Sequence, residues 1–343
     1  MIENKDGNAA AKNPPFKWLY HNYRLNHIPW RRHLEWPWRM FRLTKAFLFS
    51  RRSFEMEGFR VAVTNICNAA CVFCTYPQMK MEKFVMNIDT LKAALPLLNL
   101  KDQPYVNVTP SVGDSLIDPK LREKVELLIA EGHKVQVVTN AILLHTHMDW
   151  MLELGSHFYN LNLSLPNFDP KEYEVQFGVD KGAQTMRNVR TILERNEALG
   201  QPLAIRVQIR NREPAHVEKA NPHYKAMKKY FHGKVDCWFT TQWENWSYAL
   251  ELGTWSKHMI NGMRTSPIIN RPCRNLRFGL VNPDGGVRMC GVRMVDTDQD
   301  GMLIGKVGDS IEQLNARGKV IRDKFYHGEM PKVCYGCSFY NPE

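Results

Sequence analysis

The sequence predicts an α/β protein built on a parallel, barrel-like sheet. Between residue 60 and about residue 245, six short apolar segments alternate with amphipathic segments of helical period. Strands that alternate with helices in this way form parallel sheets covered by the helices. Several strands also carry polar residues at every second position. The predicted strands are 60–64, 105–109, 135–139, 159–165, 203–210 and 234–240, and the predicted helices are 89–98, 119–131, 148–154, 182–198 and 221–231.

The polar residues of successive strands fall on one face. In the fifth predicted strand, Arg206, Gln208 and Arg210 share one face, and apolar residues occupy the other. In the fourth strand, Asn162 and Ser164 also oppose leucines. A parallel sheet is normally covered on both faces, so exposure to solvent does not explain this pattern. It predicts a polar interior that binds a ligand, in place of the apolar filling of a structural barrel.

A loop after the first predicted strand holds three cysteines, Cys67, Cys71 and Cys74. A closed structural zinc site needs four ligands, and a thioredoxin-type motif needs two thiols. Three soft thiolates suit an iron–sulfur cluster and leave one iron without a protein ligand. An open coordination position is typical of a site that binds a ligand and performs chemistry. The alternatives are a zinc site or unrelated buried thiols.

The spacing Cys-x3-Cys-x2-Cys, with Phe73 before the last cysteine, resembles the signature of the radical S-adenosylmethionine (radical SAM) superfamily. The resemblance implies a partial (β/α)6 TIM barrel as the radical SAM core. It also implies that these cysteines hold a [4Fe–4S] cluster whose open iron binds S-adenosyl-L-methionine (SAM). Reductive cleavage of SAM would then give a 5′-deoxyadenosyl radical, which abstracts a hydrogen from a C–H bond of the substrate.

The resemblance extends to residues that follow the next strands. Gly113 and Asp114 stand where many members have Gly-Gly-Glu-Pro, and Asp114 is one methylene shorter than the glutamate that binds the SAM amino group. Asn140 lies in a segment that resembles Thr-Asn-Gly, and Ser164 matches a serine near the SAM carboxylate and ribose. Arg206 is expected to bind the carboxylate, because arginine offers a planar, bidentate fork. The carboxyl ends of barrel strands are where active sites lie.

A second group of cysteines lies near the end of the sequence. Cys273 and Cys290 bracket a predicted hairpin, Phe278 to Met289, whose turn is residues 283–286, and Cys334 and Cys337 follow as Cys-x2-Cys. Four thiols complete the ligand set of one cluster or one zinc ion.

The spacing Cys-x11-Gly-x4-Cys…Cys-x2-Cys resembles the front half of a SPASM extension. A full SPASM domain continues with further cysteines, so this sequence resembles the shortened twitch form. The resemblance implies a small α+β twitch/SPASM-like domain with a β-hairpin and one auxiliary [4Fe–4S] cluster. Because all four positions are cysteine, we expect this cluster to carry electrons and not to bind substrate.

The reaction expected from the resemblance is an oxidation (dehydrogenation) of a small polar or anionic substrate, with the auxiliary cluster as electron acceptor. Twitch enzymes include a dehydrogenase of aminocyclitol alcohols. Such an oxidation needs a base for the O–H proton, and Arg210, Asp236 or a water could serve. The cationic residues Arg206 and Arg210 favour an anionic substrate.

Three alternative functions compete with this one. The first is a redox-neutral epimerase in which Cys237, the eighth cysteine, returns a hydrogen atom. However, Cys237 would face the apolar side of its strand if Asp236 faces the interior. The second is radical modification of a peptide, by a thioether or C–C crosslink. The third is a non-enzymatic metalloprotein, against which the open three-thiol site and the polar interior argue.

Charge and composition set the remaining expectations. The chain has 343 residues, 44% hydrophobic, with a net charge of +11. Residues 16–52 contain nine Lys or Arg and one acid, so this segment carries most of the excess. We expect it to pack on the enzyme, with a membrane surface or an anionic partner as alternatives. The predicted domains are 1–15, disordered; 16–57, a basic aromatic arm; 58–245, the barrel; 246–272, a linker; and 273–343, the auxiliary domain.

The sequence also sets expectations for the compartment and the redox partner. No run of apolar residues is long enough to span a membrane, and the first residues lack the apolar core of a signal peptide. Eight cysteines in such a chain favour metal ligation in a reducing compartment over disulfides. We therefore expect a cytoplasmic protein. The family resemblance implies a reducing partner such as flavodoxin or ferredoxin, and no DNA partner is expected.

Overall fold

The structure is a computed structural model that describes residues 53–100, 103–244, 246, 252–263, 271–291, 301–334 and 337–341. The predicted disordered N-terminus, nearly all of the basic arm and parts of the predicted linker lie outside the described residues. No helix in these ranges is long and apolar enough to cross a membrane.

The described residues form two sheets. Five parallel strands make the first sheet, in the order β2-β3-β4-β5-β6, and the second sheet has the order β1-β7-β8-β9. The strands are β1 (Gly58–Val61), β2 (Val106–Asn107), β3 (Val135–Thr139), β4 (Phe158–Leu165), β5 (Ile205–Ile209), β6 (Val235–Phe239), β7 (Phe278–Val281), β8 (Gly286–Met289) and β9 (Leu303–Lys306). The predicted α/β class with a parallel sheet is therefore confirmed.

Helices connect the parallel strands and follow the last one. They are α1 (Ile88–Leu98), α2 (Leu121–Ala130), α3 (Leu144–Glu153), α4 (Pro170–Phe177), α5 (Gly182–Ala198), α6 (Ala215–Ala220), α7 (Pro222–Lys228), α8 (Lys257–Asn261) and α9 (Ile311–Tyr326). Side chains begin several of them. Asn87 accepts a hydrogen bond from the backbone of Thr90 at the start of α1, and Ser310 forms a capping box with Gln313 at the start of α9. The sequence did not predict α4, α6, α8 or α9.

One face of the first sheet is apolar and covered by helices. Val137 of β3, Leu161 and Leu163 of β4, and Val207 of β5 are all fully buried in the main core. The opposite face carries the polar side chains that the alternation predicts. On that face, the Asn107 amide donates to Gln136 at 2.5 Å, and the Gln136 amide donates to Asn160 at 3.1 Å. Side chains of β2, β3 and β4 are therefore hydrogen-bonded to one another across this face.

The first strand departs from the predicted order. β1 is hydrogen-bonded in parallel to β7, with Gly58 opposite Phe278 and Val61 opposite Val281. The gap between β1 and β2 is bridged by the side chain of Gln103, which accepts from the backbone N–H of Phe59 at 3.0 Å and donates to its carbonyl at 2.8 Å. The two sheets are thereby joined beside β1.

The predicted hairpin is present. β7 and β8 are antiparallel, with Leu280 opposite Arg288, and the turn closes through a hydrogen bond from Gly285 to the carbonyl of Asn282 at 3.0 Å. Gly285 has φ +88°, a conformation that glycine adopts without strain. β9 adds to the outer edge of β8, and α9 follows. The hairpin therefore extends the sheet that contains β1.

Candidate functional site

The carboxyl end of α4 holds the three-cysteine loop in place. Ala70 and Val72 donate backbone hydrogen bonds to the carbonyls of Phe177 and Gln176, each at 2.9 Å. The next residue, Gly178, ends the helix at φ +65°, and a Cβ there would lie 2.7 Å from the carbonyl oxygen of Ala70. Glycine therefore permits both the helix end and the close approach of the loop.

The three thiols of the loop lie within electrostatic range of one another. Burial raises the pKa of Cys71 well above its ordinary value, and the neighbouring Cys74 and Cys67 thiols raise it further. Burial is also the main cause that raises the pKa of Cys67, to about 12. The Arg210 guanidinium acts in the opposite direction and lowers the pKa of both Cys71 and Cys74. A thiolate at either position is therefore favoured by Arg210.

The donor set of this loop fits an iron–sulfur cluster. None of the eight cysteines, all of them in described positions, forms a disulfide. Within the described ranges, no three Cys, His, Asp or Glu side chains surround a point suited to a single metal ion. The thiolates that hold an iron–sulfur cluster bind different irons and do not need to share one point. Three adjacent thiols beside a cation are consistent with that arrangement.

Arg210 and Ser164 meet beside the cysteine loop. Ser164 lies near the carboxyl end of β4, and Arg210 follows β5 directly. The Arg210 Nε donates a hydrogen bond to Ser164 Oγ at 2.8 Å, and the guanidinium lies 5.5 Å from the centre of the Phe73 ring. The predicted residues Phe73 and Ser164 are thus brought together by Arg210, at the edge of the sheet where parallel α/β folds bind ligands.

Asp114 ties together the loops that follow β2 and β3. Its carboxylate is buried and accepts hydrogen bonds from the Thr139 hydroxyl at 2.9 Å and from the backbone N–H groups of Asn140 and Leu116, at 2.7 and 3.0 Å. Burial raises the pKa of Asp114 to about 6, against these hydrogen bonds, which lower it. The carboxylate that the family resemblance places at the SAM amino group therefore also organises the loops around the cysteines.

Gly113 and Asn140 both lie against the cysteine loop. Gly113 has φ +124°, and a Cβ there would lie 3.0 Å from the carbonyl oxygen of Ile66. The Asn140 amide donates to Asn68 Oδ1 at 2.7 Å and lies 4.0 Å from Cys67 Sγ. Both predicted residues are therefore close to Cys67 and its neighbours in the loop.

Arg206 and Asp236 lie elsewhere. They form an ion pair at 3.3 Å across β5 and β6, with side chains 44% and 60% exposed. Arg206 precedes Arg210 by four residues, which is about 13 Å along a strand at 3.3 Å per residue. Arg206 therefore lies away from the cysteine loop, beside which Arg210 lies, and the SAM-carboxylate contact expected of Arg206 stays a prediction.

Cys237 lies on the apolar face of β6. It is opposite Val207 in the sheet and packs against the main core. Burial raises the pKa of the Cys237 thiol to about 12. Cys237 thus lies on the face of the sheet opposite the polar side chains, which argues against a role as hydrogen donor.

The second cysteine group comes together around the hairpin. Burial raises the pKa of Cys273 to about 11, and the Cys290 and Cys337 thiols contribute to this rise. The backbone N–H of Asn341 donates to Cys273 Sγ at 3.3 Å. Cys290 adopts φ +57° at the end of β8. Three cysteines that are far apart in the sequence are therefore neighbours in space.

A fully buried arginine accompanies this group. Arg288 of β8 is 0% exposed, and its Nη1 donates to the carbonyl oxygen of Cys290 at 3.2 Å. Burial lowers the pKa of Arg288 to about 10, and the Cys290 and Cys334 thiolates act to raise it. Arg288 thereby links Cys334 to the same group. Arg288 is not among the residues that the sequence predicted for a site.

The structure also reveals a buried carboxyl group that sequence reasoning missed. Glu218 of α6 is 5% exposed and accepts a hydrogen bond from the Asn167 amide at 3.1 Å. Burial is the main cause that raises the pKa of Glu218 to about 7. Its position in a short helix between exposed Val217 and Lys219 gives no signal of burial in the sequence.

A family comparison agrees with the fold and the cysteine loop. Residues 61–202 match the model of the family described as the radical SAM superfamily. This range contains the three-cysteine loop, Gly113, Asp114, Asn140 and Ser164. This part of the chain is therefore similar to the radical SAM superfamily, whose fold implies a [4Fe–4S] cluster and SAM.

Solved structures of similar fold cover most of the chain. The structure of BtrN in complex with AdoMet and 2-DOIA is 15% identical, with a TM-score of 0.50 over 83% of this chain and 94% of that chain. Two structures of anSMEcpe are each 14% identical to this chain. The first, with bound AdoMet and Cp18Cys peptide, has a TM-score of 0.50 over 82% of this chain and 85% of that chain. The other, with bound AdoMet, has a TM-score of 0.51 over 80% and 82%. At these identities the similarity establishes the fold, and the predicted partial barrel agrees with it. A search of curated proteins gave no match.

Proposed function

We propose that this protein is a radical SAM oxidoreductase that removes hydrogen from a C–H bond of a small polar or anionic substrate, with an auxiliary [4Fe–4S] cluster as electron acceptor. The observation that carries the proposal is the position of Arg210 between Ser164 and the thiols of Cys71 and Cys74. A cation beside an open three-thiol site is suited to the carboxylate of SAM.

Each residue of the loop region has a role in this proposal. Cys67, Cys71 and Cys74 would hold the cluster, and SAM bound to its open iron would supply the 5′-deoxyadenosyl radical. Arg210, held by Ser164, would bind the SAM carboxylate. Asp114 would hold the loops after β2 and β3 together. With Asn140, it would also set how deeply SAM lies beside the cysteines.

The second cysteine group would hold the auxiliary cluster. Cys273, Cys290, Cys334 and Cys337 would be its four ligands, in a domain of the twitch type. A hydrogen bond of 2.5 Å from the Ser111 hydroxyl to the carbonyl of Gly291 connects the loop after β2 to the residue after Cys290. This contact supports a substrate position that both cysteine groups approach.

The electron balance favours an oxidation. Removal of one hydrogen atom from a carbinol carbon leaves a substrate radical, which becomes a carbonyl when it loses the O–H proton and one electron. The electron would go to the auxiliary cluster, and the proton to a water of the polar interior, because Asp236 lies away from the cysteine loop and is paired with Arg206. BtrN, a protein of similar fold, has been solved in complex with 2-DOIA, and this supports a small polar substrate for the present protein. We expect flavodoxin or ferredoxin in the cytoplasm to supply the first electron.

Peptide modification is the second candidate, because the similar anSMEcpe structure contains a peptide. Against it, several side chains of the polar face already pair with one another: Asn107 with Gln136, and Gln136 with Asn160. Such a lining suits a small substrate better than an extended chain.

The test is anaerobic reconstitution with iron and sulfide, followed by addition of SAM and a strong reductant. We expect 5′-deoxyadenosine from the native chain, none from Cys71→Ala, and native amounts from Cys237→Ala, which removes a thiol outside the site. A native sample that contains its iron and sulfide but forms no 5′-deoxyadenosine would refute the proposal. Acceleration by small alcohols, and not by peptides, would decide between the two substrate classes.

A further inference from the structure

Arg288 is an unusual residue for the interior of a β-hairpin. It lies on β8 opposite Leu280 of β7, and both side chains are completely buried. Leu280 belongs to an apolar cluster with Trp243 and Trp255. A guanidinium in such surroundings is costly unless opposite charge offsets the loss of hydration.

The second cysteine group supplies that opposite charge. Arg288 precedes Cys290 by two residues and donates to its carbonyl oxygen at 3.2 Å. Its charge also interacts with the thiolates of Cys290 and Cys334, which lie on different segments of the chain. The guanidinium therefore lies beside two of the four thiols that the proposed auxiliary cluster would use.

We propose that Arg288 is a positioning residue that acts through the auxiliary cluster, where its buried charge raises the reduction potential. This inference rests on the proposed function, because it assumes a cluster at Cys273, Cys290, Cys334 and Cys337. Net charge, hydrogen bonding and solvent exposure set the potentials of such clusters. A fixed positive charge in a medium of low dielectric constant favours the form that holds one more electron. Arg288 would thereby make this cluster an acceptor for the electron that leaves the substrate.

The exposed neighbour Arg274 provides a matched control. Arg274 is adjacent to Cys273 in the sequence but is exposed, so water and salt screen its charge. Arg288→Met and Arg288→Gln remove the buried charge, whereas Arg288→Lys retains it. Arg274→Gln removes a charge of the same type beside the same cysteine group.

The experiment is a redox titration of the auxiliary cluster, followed by electron paramagnetic resonance in the full chain with Cys71→Ala as background. In R288M and R288Q, we expect the ratio of reduced to oxidised cluster at a fixed potential to fall at least tenfold, which is about 59 mV for one electron. R288K and R274Q should stay within a factor of three of the background protein.

Loss of the cluster in R288M and R288Q but not in R288K would also support a requirement for the charge. An unchanged reduction potential in R288M and R288Q would overturn the inference. An equal loss of cluster, or an equal fall in potential, in R288M, R288Q and R288K would also overturn it, because the packing of Arg288 and not its charge would then explain the effect. Failure of the proposed function is separately visible: without an auxiliary cluster, Cys273→Ala would not lower the iron content of the native chain.

Discussion

Arg210 donates a hydrogen bond from Nε to Ser164 Oγ at 2.8 Å and lies next to the thiols of Cys71 and Cys74. Ser164 lies on β4, and Arg210 directly follows the adjacent parallel strand β5, at the edge of the sheet where the cysteine loop also lies. The hydrogen bond fixes the orientation of the guanidinium and leaves its remaining N–H groups for a carboxylate.

The first prediction concerns SAM affinity. Arg210→Gln should weaken binding of SAM to the reconstituted protein by about 10- to 100-fold, because a charge-assisted hydrogen bond contributes about 1.5–3 kcal/mol. Ser164→Ala should weaken binding less, since it removes only the support of the guanidinium. Equilibrium binding of SAM under anaerobic conditions measures both effects.

Arg206→Gln is the matched control for that prediction. Arg206 is paired with Asp236 and is 44% exposed, so its loss should change SAM affinity by less than about threefold. Equal effects of Arg206→Gln and Arg210→Gln would contradict the assignment of Arg210 to the SAM carboxylate.

The difference between these two arginines illustrates what the sequence could predict. Alternation along β5 places Arg206 and Arg210 on one face, and the structure agrees. Alternation does not give depth, because residues four apart share a face but differ by about 13 Å along the strand. Because β5 ends at Ile209, Arg210 lies at the end of the strand and Arg206 does not. The periodicity of the sequence does not show where a strand ends.

Local patterns were sufficient for some elements and not for others. β3 at Val135–Thr139 and α5 at Gly182–Ala198 have the predicted bounds, because each has a clear period between distinct breaks. The pairing of β1 with β7 joins segments more than 200 residues apart, which no local period specifies. α4 was missed because its eight residues mix buried Tyr173 and Phe177 with charged neighbours, which gives a weak helical pattern.

The second prediction concerns the support of the cysteine loop. Gly178→Ala should lower the free energy of unfolding by about 1–3 kcal/mol and reduce iron incorporation, because the new Cβ would lie 2.7 Å from the Ala70 carbonyl oxygen. Gly200→Ala is the control: Gly200 also has a positive φ, +74°, but a Cβ there would meet no atom within 4 Å. Gly200→Ala should lower the free energy of unfolding by about 1 kcal/mol and leave the iron content unchanged. Similar iron loss in both variants would refute the support role of Gly178.

The third prediction concerns a buried ion pair that begins four residues after Asp114 in the sequence. Lys124 of α2 contacts the Asp118 carboxylate, and both side chains are 0% exposed. Lys124→Met or Asp118→Asn alone should destabilise the protein by about 3–5 kcal/mol, because each leaves a buried charge without its partner. The double variant should be more stable than the sum of the two losses implies. Denaturant unfolding measures all three.

The exposed pair Arg190–Glu194 is the control for this cycle. Its side chains are 61% and 42% exposed, so Arg190→Gln should change stability by no more than about 0.5 kcal/mol. Strict additivity of the Lys124 and Asp118 losses would show that the two charges do not interact as the structure indicates.

The fourth prediction concerns pH. The pKa of Glu218 is raised from its ordinary 4.5 to about 7, mainly by burial, while the nearby Glu172 and Glu213 add to the rise. The folded state therefore binds a proton more tightly than the unfolded state, and this contribution to stability is present below about pH 4.5 and lost as pH rises through 7. At about 1.4 kcal/mol per pKa unit, reduced for partial access of water, the loss is on the order of 1–3 kcal/mol. Glu218→Gln should keep the hydrogen bond from Asn167 without the charge, so its melting temperature should exceed that of the native chain at pH 8 and match it at pH 5. If the melting temperatures of the two proteins differed by the same amount at every pH from 5 to 8, this would contradict the raised pKa of Glu218.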